Sequence, residues 1–112
     1  MTEAALPKDF IVSRLTNQID FIQQKLSELD AQHESILAIL DFQIQDASLA
    51  LKRLPQLPTG YAEIDNARGA LSGRLAALES EKRGTLVRFR QERAGLEREI
   101  QKLMGDIAML EL

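Results

Sequence analysis

The chain has 112 residues, with 14 basic and 17 acidic side chains and a formal charge of −3 at pH 7. That length bounds one domain and leaves no room for a second core, and the slight acidity excludes a global attraction to nucleic acid or anionic membranes. With no cysteine and a single histidine, disulfide frameworks and thiolate zinc sites are excluded too.

Residues 1–6 lack the basic and apolar regions of a secretory signal. A first helix is predicted over about 8–53. Pro7 suits its start, because the N–H it lacks would have had no intrahelical partner there. The apolar series Val12, Leu15, Ile19, Ile22, Leu26, Leu29, His33, Ile36, Leu40 alternates steps of three and four, the signature of a heptad seam. Two consecutive steps of four, Ile36–Leu40–Ile44, then predict a stutter that locally unwinds a left-handed supercoil. The most apolar stretch, 36–51, is interrupted by Asp41, Gln43, Gln45 and Asp46, so it does not read as a membrane span. The expectation is a soluble chain, cytoplasmic by default, within a larger particle or machine if it is not free.

Lys52 and Arg53 complement the carbonyl end of this helix, and Pro55 and Pro58 stop it. The bend is predicted at 54–60, with Thr59 or Gly60 capping a second helix over about 60–110. Its seam reads Ile64, Ala67, Leu71, Leu75, Leu78, Lys82, Leu86, Phe89, Arg93, Leu96, Ile100, Leu103, Ile107, Leu110. Each helix would be about 70 Å long at 1.5 Å per residue. Folded about the bend, the two seams match when partner numbers add to about 115, as in Leu26 with Phe89 and Leu40 with Leu75. The predicted fold is therefore all-α: one long antiparallel two-helix hairpin over 1–112, paired as a coiled coil.

A second surface is written opposite the seams. The first helix has no glycine from Asp9 onward, whereas the second carries Gly69, Gly73, Gly84, Gly95 and Gly105. Each costs about 1 kcal/mol relative to alanine in a helix interior. Gly73, Gly84 and Gly95 fall on the side away from the seam, with Gly69, Ala70 and Ala77 near the same ridge. A side stripped of side chains admits a close backbone approach. On the first helix Ala38, Phe42 and Leu49 lie opposite the seam, and a helix that is apolar on several faces is buried on several faces. These eight residues, Gly69, Ala70, Gly73, Ala77, Gly84, Ala38, Phe42 and Leu49, are the candidate interface. It predicts association into a four-helix or larger bundle, as a homo-oligomer or inside a larger protein assembly.

The remaining signals are weaker. His33 and Lys82 are predicted to face each other as a polar layer that sets register. A lone histidine among carboxylates is a poor transition-metal set, so no metal or cofactor is expected. The run Lys82, Arg83, Arg88, Arg90, Arg93 is the sole basic cluster; its charges spread around the helix, and interhelical ion pairs with Asp20, Glu28, Asp30 and Glu34 account for it. Nothing resembles a phosphate loop or an enclosed acid–base site, so neither enzyme activity nor a small-molecule substrate is expected. The predicted role is structural: helix packing in an assembly. Two alternatives stand beside it, a nucleic-acid accessory factor using the run from Lys82 to Arg93 and a chaperone or adaptor that captures a client helix.

Overall fold

The computed structural model describes residues 7–55 and 61–112. They form two helices, α1 (Lys8–Arg53) and α2 (Ala62–Leu110). The chain is an all-α helical hairpin. The carbonyl of Pro7 accepts from the amides of Phe10 and Ile11 at 3.0 and 3.2 Å, so Pro7 stands just outside the helix it starts. Tyr61 does the same for α2, accepting from Ile64 and Asp65, each at 3.0 Å. The predicted cap at Thr59 or Gly60 and the stop at Pro58 lie outside the described residues. No helix of the described residues is long and apolar enough to cross a membrane.

The residues fall into two compact units, a central one, His33–Arg88, and a terminal one in which Phe89–Leu112 pairs with α1 up to Gln32. In the central unit Leu40, Ala47 and Leu78 are buried together, with Ile44 and Leu75 packed against them, and Thr85 is 3% exposed. Among the described residues of the terminal unit, Ile22 is the buried side chain. A pair of helices encloses little, and among the described residues no large side chain is completely buried.

The seam departs from its prediction in three places, each with a physical cause. Leu37 is half-buried while Ile36 is 40% exposed. The two fours in succession therefore fall at Leu29–His33–Leu37, one heptad earlier than expected. In α2 the deeply buried residue is Thr85 rather than Leu86, and the Arg88 guanidinium donates to its hydroxyl at 3.3 Å. A satisfied hydroxyl is compatible with burial, so the regular step of three from Lys82 is kept. Arg93, placed in the predicted seam, is exposed and paired at its edge.

Register is a further difference. In the central unit Lys82 Nζ meets Asp41 Oδ1 at 2.6 Å, and Arg68 donates to the Pro55 carbonyl at 3.0 Å. In the terminal unit Arg93 donates to both carboxylate oxygens of Asp30 at 3.0 Å. Each of these pairs has numbers adding to 123, against the expected 115. Helical side chains lean toward their own N-terminus, which in an antiparallel pair makes long side chains meet above the backbone level and accounts for part of the excess. The apolar core shows the rest. A total of 115 would set Ala47 against Arg68, yet Ala47 is buried with Leu40 and Leu78. Sliding by one heptad carries every seam residue onto another seam residue, so apolar matching is blind to the slip. Paired cysteines at Leu26 and Leu96 should therefore form an intrachain disulfide, and the pair at Leu26 and Phe89 should not, since a bridge needs Cα atoms within about 7 Å. Non-reducing electrophoresis reads the result; equal yields from both pairs would refute this register.

Candidate functional site

The candidate interface residues all lie in the central unit, and all eight are exposed. On α2 a small residue recurs every three or four positions along the outer face: Gly69, Gly73, Ala77, Ser80, Gly84. A Cβ built on Gly69, Gly73 or Gly84 would meet nothing within 4 Å, so nothing among the described residues calls for glycine there. On α1 the outer face is bulky instead, with Phe42 at 70%, Ile39 at 58% and Leu49 at 41% exposure, beside the smaller Ala38. Because each set faces away from the common seam, the structure does not gather them into one patch. It presents a trough of small residues on α2 and a ridge of large ones on α1.

Gly95 departs from the expected glycine line. Eleven residues at 100° overshoot three turns by about 20°, so Gly95 stands about 40° round from Gly73. It is half-buried in the terminal unit, where it lines a groove between the helices together with Leu29 and Leu96.

The predicted polar layer is rearranged by the register. Lys82 is engaged by Asp41, about two turns beyond the last of the acidic residues proposed for the basic run. His33 is half-buried, with its Nε2 atom out of contact with solvent. Of the basic run, Lys82 and Arg93 are held in ion pairs across the seam, Arg93 also bonds Glu97 at 3.1 Å, and Arg88 is turned onto Thr85. Three of its five cations are thus committed to the fold. Among the described residues no group of three or more His, Asp or Glu side chains is placed to hold a metal ion.

One asymmetry was not legible beforehand. In each unit the ion pair across the seam lies on a single edge, Asp41–Lys82 in the central unit and Asp30–Arg93 in the terminal one. The other edge of the terminal unit is open. It forms a groove with Ile22 and Leu103 on its floor, continuing past Lys25 and Glu99 to Leu29 and Leu96. Phe21 stands in this groove 59% exposed, with the Lys25 ammonium 4.7 Å from its ring centre. The sequence offers no sign of it, because its walls read as ordinary solvated positions of two helices.

No family model, curated protein or solved structure matches this chain.

Proposed function

We propose that the protein is a non-enzymatic assembly element whose work is helix packing, through the α1 ridge and the α2 trough of its central unit. The reading rests chiefly on one observation: large apolar side chains and side-chain-free backbone are both left facing solvent, where each is unfavourable. Phe42 alone exposes 70% of its surface. Covering the ridge and trough with helices of another molecule would give the four-helix or larger bundle. The occupant is a second copy or a subunit of a larger complex.

Sedimentation equilibrium of the full chain tests this. A mass above the monomer value is expected, and Phe42→Ser should lower it at unchanged helicity. A wild-type chain that stays monomeric at about 100 μM, and that Phe42→Ser leaves equally soluble, would sink self-association. Retention on DNA or RNA that falls steeply with salt would favour the nucleic-acid alternative, since phosphate contacts carry that dependence.

A further inference from the structure

We infer that the open groove of the terminal unit is a second, charge-directed association site, and that its occupant is the same groove of a second copy. Its walls carry opposite signs. In net charge, Arg14 and Lys25 outweigh Glu28 on the α1 wall, and Glu92, Glu99 and Asp106 outweigh Lys102 on the α2 wall. Arg14, Glu99 and Asp106 take part in none of the ion pairs of the described residues, while the opposite edge is closed by Asp30 and Arg93.

A two-fold axis parallel to the helices preserves every level while exchanging the walls. It therefore sets the α1 wall of one copy against the α2 wall of the other. Lys25 meets Glu99, Arg14 comes within about one helical turn of Asp106, and symmetry repeats both contacts. The other charges also find acceptable neighbours. Lys102 comes level with the exposed ring of Phe21, a favourable cation–π partner, Glu92 comes level with the neutral Gln32, and Glu28 comes level with Gly95, one turn from Glu92. The same operation covers Phe21 and the apolar floor. A parallel arrangement of two hairpins, groove to groove, follows from the placement of these charges; it rests on the terminal unit alone and not on the ridge and trough of the central unit.

Two charge reversals in the full chain test it by sedimentation: Lys25→Glu and Glu99→Lys. Each alone confronts like charges twice per dimer, and self-association should weaken at least about tenfold. An equimolar mixture of the two variants should recover it, because one chain then offers only acidic and the other only basic groups at these positions. A repair that takes place within a single chain cannot produce recovery on mixing. Circular dichroism checks that both variants remain helical; if either does not, Arg14→Glu and Asp106→Lys repeat the test at the next level. Self-association unchanged by the single variants, a mixture no tighter than its components, or a monomeric wild-type chain would each overturn the inference. The central unit is read separately through Gly73→Leu. Loss of association with that variant but not with the charge reversals removes the groove and keeps the trough, and the converse result removes the trough.

Discussion

Gly73→Leu is expected to abolish association through the central unit and to leave Phe42 and Leu49 uncovered, yielding an aggregation-prone chain. The structure makes this a clean test, since a Cβ at Gly73 meets nothing within 4 Å. Within the isolated hairpin, Gly73→Ala should therefore stabilise by roughly 0.4–1 kcal/mol, through a less flexible unfolded chain. Beneath a closely packed neighbouring helix the sign inverts, and overpacking costs about 1–3 kcal/mol. Thermal melts of Gly73→Ala at low and high protein concentration separate the two cases. Gly105→Ala, equally open, supplies the control and should be neutral or stabilising at every concentration. If Gly73→Leu leaves both mass and melting temperature as they were, the trough is ordinary surface and the protein is a spacer.

The largest loss of stability is expected from Leu40→Ala. Leu40 is 4% exposed and shares a cluster with Ala47 and Leu78, so truncation removes apolar burial and opens a void beside an alanine that cannot fill it. Leu-to-Ala changes at such sites cost about 2–5 kcal/mol, and a hairpin with so few buried side chains has little to spare. Urea titration should show a lower midpoint. Phe42→Ala, at a comparably large but exposed side chain, should barely move the monomer's midpoint. Equal losses from both would mean that the seam and the outer face are not distinct.

These contrasts also show what was legible in the sequence. The prolines and the apolar repeat placed the helix limits within about two residues, because helix-breaking chemistry and a seven-residue period are local properties. The choice between Ile36 and Leu37 was not local. Both are large and apolar, and the partner helix decides which one is enclosed. Register failed for a related reason, since a seam that repeats every heptad gives the same match after a slip of seven; the discriminating contacts are Asp41 with Lys82 and Asp30 with Arg93, which read singly as solvated charges. Thr85 was overlooked because a hydroxyl scores as polar until the guanidinium that satisfies it is in place. The candidate interface residues were legible as a list. That the small ones line the second helix and the large ones the first was legible as well, because each seam fixes which way its helix faces.

The contacts between α1 and α2 also set an order of assembly along the chain. The Arg68 to Pro55 bond closes 13 residues, whereas Arg93 to Asp30 closes 63. Loop-closure entropy makes the longer closure about 1.4 kcal/mol more costly if it forms first. Once the shorter one stands, each further layer adds contacts at almost no closure cost. Four of the five residues buried among those described, Leu40, Ala47, Leu78 and Thr85, lie in the central unit, so the cheapest closures also gather most of the enclosed side chains. Folding thus behaves as a zipper that starts in the central unit and runs on into the terminal one. On the ribosome, α1 has no partner until α2 begins to emerge, and until then its apolar seam is open to whatever else is nearby.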